Sequence, residues 1–208
     1  MEHDSLWSQD RAFGEFETLC GIDEVGRGPL AGPVCAACVM LRDGVDIPYL
    51  NDSKKLSEKR RELIYQQLMQ QGLIAYGIGF GSVLEIEEYN ILQATFFAMN
   101  RAYGDMLTHF PECSPVLALV DGNRDPHLPL ATKLLVGGDG KSAHIAAASI
   151  IAKVTRDHLM AGLAKQYPQY GFEKNKGYGS AEHYRMLEQY GISEVHRRSF
   201  LKKLTGEK

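Results

Sequence analysis

Thr18-Leu19-Cys20-Gly21-Ile22-Asp23-Glu24-Val25-Gly26-Arg27-Gly28-Pro29-Leu30-Ala31-Gly32-Pro33 runs directly into a second apolar segment that ends at residue 41. Residues 18–22 and 33–41 read as strands, and the short connection between them predicts an antiparallel hairpin. The first strand ends in two adjacent carboxylates, Asp23 and Glu24. Side chains alternate across a strand, so both reach one site only if the chain bends there, and the glycines that follow allow a bend. The same loop sets a guanidinium, Arg27, among exposed backbone N–H groups. Carboxylates suited to a divalent cation, beside donors suited to a phosphate or a sugar hydroxyl, point to metal-assisted phosphodiester chemistry. A lone Asp-Glu pair is more often solvated surface. The Gly-Arg-Gly setting and three later segments shift that balance.

The chain has 208 residues, enough for one domain with a self-sufficient core, or one domain with a small appendage. Its hydrophobic and charged fractions, 44% and 24%, are those of a soluble globular protein. No apolar run approaches the length needed to span a membrane. The start, Met1-Glu2-His3-Asp4, is polar and acidic rather than a secretory signal, so the cytoplasm is the expected compartment. Cys35 and Cys38 have C-x-x-C spacing but no second pair. On a strand they face opposite sides, so buried thiols are expected rather than a zinc or redox centre. The formal net charge of −3 hides an asymmetry: from residue 151 onward there are 11 Lys/Arg against 6 Asp/Glu, and before it 12 against 20. A basic C-terminal part beside an acidic body fits a polyanion held against a carboxylate-rich site.

Further along, residues 73–80 read as a strand and 57–71 as a helix capped by Ser57 and stopped by Gly72. Residues 90–107 carry Leu92, Phe96, Met99, Tyr103 and Met106 at helical spacing, which marks a core-facing helix. Short strands are expected over 115–120 and 133–136. An Ala-rich, buried helix is expected over 142–167, and a shorter one over 180–190. Strands first, then strands alternating with helices, give an α/β fold with a mixed sheet and helices on its faces.

Several loops carry candidate chemistry. Asp52-Ser53-Lys54-Lys55-Leu56 offers two lysines to phosphates ahead of a helix. Val120-Asp121-Gly122-Asn123 puts a carboxylate at the end of a buried strand, where α/β proteins form sites. Gly137-Gly138-Asp139-Gly140-Lys141-Ser142 ends like a nucleotide-binding phosphate loop, but Leu135 stands where that loop needs glycine. Gly26 to Gly32 likewise departs from G-x-G-x-x-G, so no nucleotide cofactor is supported. Asp139 reads instead as a metal-site carboxylate at the mouth of the Ala-rich helix. Gly177-Tyr178-Gly179 presents an aromatic face that can stack on a sugar or base. The histidines form no ligand spacing; His183 and His196 read as surface or capping residues, and His144 as a neighbour of the site.

Taken in order, Gly21 to Pro29, Asp52 to Leu56, Val120 to Asn123, Gly138-Asp139, Ala146 to Val154, Gly177-Tyr178-Gly179 and His196-Arg197-Arg198-Ser199-Phe200 resemble the bacterial ribonuclease HII family. The resemblance covers residues 18–200. Arg27 separates it from the sister ribonuclease HIII family, which usually has Lys there and a long N-terminal domain. The resemblance implies a ribonuclease H-like fold: a mixed five-stranded sheet flanked by helices, with a C-terminal helical extension. It divides the chain into an N-terminal extension (1–17), a catalytic domain (18–164) and a helical cap (165–208). It implies endonucleolytic cleavage of RNA in RNA–DNA hybrids, leaving a 5′-phosphate and a 3′-hydroxyl, and incision 5′ of single ribonucleotides in duplex DNA.

Carried over by motif, the catalytic and metal-binding carboxylates are Asp23, Glu24, Asp121 and Asp139. They would hold two Mn²⁺ or Mg²⁺ ions about 4 Å apart. Asp157 is the alternative fourth carboxylate and is assigned a structural role. Gly26, Arg27 and Gly28 would read the ribose 2′-hydroxyl, Tyr178 would stack on the adjacent sugar, and Lys54 and Lys55 would hold phosphates. A different metal nuclease on the same fold would share the carboxylates without a 2′-hydroxyl reader. A hybrid-binding module without catalysis would gain nothing from clustered negative charge near phosphates. A monomer is the default.

Overall fold

The computed structural model describes residues 2–45, 47–50, 56–70, 72 and 74–202. Five strands form one mixed sheet: β1 (Leu19–Val25), β2 (Val34–Leu41), β3 (Ile74–Gly81), β4 (Leu117–Asp121) and β5 (Ala131–Leu135), in the order β3-β2-β1-β4-β5. The expected pairing of β1 with β2 is antiparallel, with Gly21 opposite Val39 and Val25 opposite Cys35. β4 and β5 run parallel to β1, with Ile22 opposite Val120. Six α-helices accompany the sheet among the described residues: α1 (Glu2–Arg11), α2 (Glu58–Leu68), α3 (Val83–His109), α4 (Ala143–Gln166), α5 (Phe172–Asn175) and α6 (Ala181–Tyr190).

β2 shows why the sheet is a sandwich filling. Its residues are all buried, and they alternate between two cores. Cys35, Ala37, Val39 and Leu41 join the Ala-rich face of α4, with Ile64 and Leu68 of α2. Val34, Ala36, Cys38 and Met40 join Ala94, Ala98, Ala102 and Met106 of α3. The two cysteines therefore face opposite sides, as alternation requires. Burial pushes the Cys35 thiol up to about 12 and the Cys38 thiol well above its ordinary value, so both are packing groups rather than thiolates.

Helix starts follow serine. Ser57, Ser82, Ser142 and Ser180 each accept a backbone N–H of the first turn, and Ser82 with Glu85 completes a capping box. The helix expected from residue 90 begins earlier, at Val83. Asn90 is nonetheless a break: its φ is 71°, and its side-chain oxygen accepts from Leu92 and Gln93 N–H at 2.9 and 3.2 Å. Asn90 thus caps the long second half of α3, while the capping box starts a short preceding turn.

Two features went unread in the sequence. α1 packs Leu6 and Trp7 into the α4 core, and its Asp10 accepts from the His144 ring and backbone N–H at 2.8 and 3.2 Å. The C-terminal segment after α4 returns to the loop between β1 and β2. Gly32 N–H donates to Val195, Arg197 N–H to Leu30, and Leu30 N–H to Gly177. The Gly-Arg-Gly loop and the Gly-Tyr-Gly loop are thereby laced together.

Candidate active site

Because β1 and β4 are parallel with Ile22 beside Val120, the next residues, Asp23 and Asp121, stand side by side at the strand ends. Parity sets their face. Leu19 and Leu119 pack on Ile145 of α4, so Asp23 and Asp121, an even number of residues on, also face α4. Asp139 enters from the 3₁₀ turn Gly138–Gly140 that leads into α4, and it is buried. Gly138 N–H donates to Asp121 Oδ1 at 2.7 Å, which ties that turn to the end of β4.

Glu24 behaves differently. β1 continues through Val25, so the bend expected at the pair falls instead at Gly26, where φ is 94°. A Cβ there would lie 2.2 Å from Arg156 Nε, so glycine is required on both conformational and steric grounds. Glu24 pairs with Arg27 at 3.5 Å, and its N–H donates to Asp23 Oδ1 at 2.7 Å.

The electrostatics are those of crowded, desolvated acids. Burial, then the charges of Glu24 and Asp121, push the Asp23 carboxyl well above the carboxylate range; a hydrogen bond with Ser149 opposes this. Burial also raises Glu24, and Asp121 adds to the rise, whereas Arg27 opposes it. Among the described residues no three acid, imidazole or thiol groups converge at metal-binding spacing. The donor chemistry nevertheless fits a divalent cation: hard carboxylate oxygens whose mutual repulsion a cation would relieve, with one half-exposed arginine as counter-charge.

The border of the site carries Tyr178. It is 44% exposed, and its ring edge stands 3.8 Å from where a methyl on Gly28 would lie. The sheet ends, the Gly-Arg-Gly loop and this ring therefore share one edge of the molecule. Lys54 and Lys55 lie outside the described residues. Asp157 pairs with Lys153 at 2.8 Å, one helical turn back on α4. His144 is buried against Asp10 rather than placed among the acids.

The surface or capping roles read for His183 and His196 are corrected by the structure: both rings are buried and bond to each other, Nε2 to Nε2, at 3.1 Å. Ser193 N–H, which can only donate, points at His196 Nδ1 at 3.0 Å. His196 must therefore carry its proton on Nε2 and donate it to His183. His183 then carries its proton on Nδ1 and donates it to the Tyr178 carbonyl at 2.9 Å. Nothing in the spacing of residues 183 and 196 signals this chain of bonds.

Burial, and then the neighbouring His183, lower His196 to about 4. An unfolded chain binds a proton on this ring below its ordinary value near 6.5, while the folded protein does not until about pH 4. Stability is therefore expected to fall as pH drops from 6.5 to 4, by up to about 3 kcal/mol from this group. Urea melts across that range check it: His196→Gln should flatten the wild-type slope, and an unchanged slope refutes the assignment.

Comparison with known proteins gives a consistent result. Residues 20–203 match the family model described as ribonuclease HII. A ribonuclease HII of Endomicrobium trichonymphae is 50% identical over 199 residues, covering 94% of this chain and 92% of that protein. The crystal structure of ribonuclease H2 from Pyrococcus horikoshii OT3 is similar with a TM-score of 0.69 and 27% identity, covering 91% of this chain and 96% of the other. Bst-RNase HIII in complex with Mn²⁺ shares the fold, with a TM-score of 0.70 at 17% identity over 91% of this chain and 70% of that one.

Proposed function

This chain belongs to the ribonuclease HII family and is an RNA–DNA hybrid endoribonuclease, and we propose that it also incises 5′ of single ribonucleotides in duplex DNA, using two divalent ions. The observation that carries the reading is the placement of Asp23 near Asp121 on the α4 face, each following the paired Ile22 and Val120, beside the Gly-Arg-Gly loop and Tyr178. Asp23, Glu24, Asp121 and Asp139 would hold Mn²⁺ or Mg²⁺; the bound ions would supply an activated water and charge stabilisation at the leaving 3′-oxygen.

The protein's own residues do the rest. Gly138 and Ser149 orient Asp121 and Asp23. Arg27 holds Glu24 and balances part of the site's charge. The backbone of Gly26, Arg27 and Gly28 contacts one 2′-hydroxyl, the group that separates RNA from DNA. Tyr178 stacks on the next sugar, which lacks that hydroxyl at an RNA-to-DNA junction. An enzyme built this way needs one ribose rather than a run of them. Lys54, Lys55 and the basic cap (165–208) hold phosphates.

The test is a labelled duplex with one internal ribonucleotide, compared with an all-DNA duplex and an RNA–DNA hybrid, with Mn²⁺ and then with a chelator. Cleavage 5′ of the ribonucleotide, leaving it at the 5′ end of the downstream fragment and lost on chelation, is expected. Cutting of the hybrid with none at the lone ribonucleotide would sink the junction reading. Tyr178→Ala should weaken incision at the lone ribonucleotide by about 1–3 kcal/mol, by analogy with base–aromatic stacking. Metal dependence should change little, because no ligand is lost.

A further inference from the structure

Two arginine side chains lie fully buried beneath the loop between β1 and β2. Arg197 donates to the carbonyls of Gly26 at 2.7 Å, Arg27 at 3.0 Å and Gly32 at 2.9 and 2.7 Å. Arg156 donates to the carbonyls of Pro33, Ala31 and Lys176 at 3.0, 3.1 and 3.0 Å. Among the described residues neither guanidinium makes an ion pair; their bonds go to main-chain oxygens. Burying an arginine without a carboxylate is costly. Burial, and then the neighbouring Arg156 charge, lower the Arg197 value to about 9. Such an arrangement persists where the geometry it enforces matters.

That geometry can be read from the peptide plane. In a trans peptide the C=O of one residue and the N–H of the next point in opposite directions. Arg197 draws the Gly26 carbonyl inward, so the Arg27 N–H faces outward. It draws the Arg27 carbonyl inward, so the Gly28 N–H also faces outward. Neither amide donates to another group among the described residues. Two successive outward N–H groups form a small concave donor site for one oxygen. Tyr178 borders Gly28.

We propose that Arg197 is a positioning residue for ribose recognition: by holding the Gly26 and Arg27 carbonyls inward, it aims the Arg27 and Gly28 amides at the substrate 2′-oxygen. This rests on the loop backbone being the 2′-hydroxyl reader. Lysine keeps the charge but concentrates its donors on one nitrogen, so it cannot span the three carbonyls that the planar guanidinium reaches.

The experiment measures binding rather than turnover. In an Asp121→Asn background, to prevent cleavage, dissociation constants are taken for a duplex with one ribonucleotide and for the matching all-DNA duplex. The background protein should prefer the ribonucleotide duplex. Adding Arg197→Lys should erase most of that preference, roughly tenfold for one lost hydrogen bond, while all-DNA affinity stays within about twofold. Equal weakening toward both duplexes would mark Arg197 as merely structural. A preference retained in a folded Arg197→Lys protein overturns the proposal and leaves the loop reading intact. No preference even in the background protein overturns the loop reading itself, and the proposal with it. If circular dichroism shows Arg197→Lys to be unfolded, Phe200→Leu decides. The Phe200 ring lies 5.3 Å from the Arg197 guanidinium, so its loss should blunt the ribose preference without altering all-DNA affinity. An unchanged preference there also overturns the proposal.

Discussion

Asp121→Asn is expected to abolish cleavage of an RNA–DNA hybrid while leaving the fold and hybrid binding largely intact. The amide oxygen can still accept from Gly138 N–H, so the turn before α4 should stay attached to β4. What disappears is the charge offered to a divalent cation. A loss of several kcal/mol of transition-state stabilisation corresponds to a rate lower by on the order of a thousandfold or more. The measurement is single-turnover cleavage at saturating Mg²⁺, with circular dichroism and hybrid binding alongside. A variant cutting within about tenfold of wild type would remove Asp121 from the metal site. Asp157→Asn is the matched control. That carboxylate pairs with Lys153 on its own helix, so the variant should fold and cut. Loss of cleavage there, with Asp139→Asn active, would mean that Asp157 is the fourth carboxylate.

Gly79→Val is expected to cost a large part of the protein's stability at a position remote from the chemistry. β3 carries glycine at 77, 79 and 81, all on the face turned to α3. A Cβ at 79 would lie 2.1 Å from the Ala98 carbonyl oxygen and 2.5 Å from the Ala102 nitrogen. These are backbone atoms of a packed helix, so no side-chain rotation relieves the clash. α3 answers the three glycines with Ala94, Ala98 and Ala102, which lets helix and strand approach at backbone distance. Forcing them apart should destabilise the protein by about 3 kcal/mol or more. Urea denaturation measures it. Gly104→Ala on the same helix is the contrast: nothing lies within 4 Å of its added methyl, and the variant should gain about 0.5–1 kcal/mol from higher helix propensity. Equal stability of Gly79→Val and wild type would contradict the close packing of α3 on β3.

The sequence by itself determined the sheet and most of its helices, because their signals are local. Apolar runs ended by glycine, serines ahead of helical periodicity, and alternation along β2 each depend on neighbouring residues only. The same locality made Asp23 and Asp121 candidates: Asp121 closes β4, and Asp23 follows the buried run of β1, two residues before that strand ends. The fold followed from the ordered motifs, and relatives of the ribonuclease H2 and HIII type share it. Tertiary structure alone decided three other matters. The start of α3 shifted because a capping box at Ser82 and an Asn90 cap compete for one helix, and only packing retains both. Residues 2–11 became a helix on the core through Trp7 and the Asp10–His144 contact, whose partners are 134 positions apart. The burial of Arg156, Arg197, His183 and His196 contradicts what their residue types predict. Polar groups are admitted to the interior only when distant carbonyls or rings complete their hydrogen bonds. The partners here come from the loop near residues 26–33 and from the turn near 178, over 100 positions from Arg197 in the first case. A composition or a spacing cannot encode that closure; it exists only once the C-terminal segment has folded back over the Gly-Arg-Gly loop.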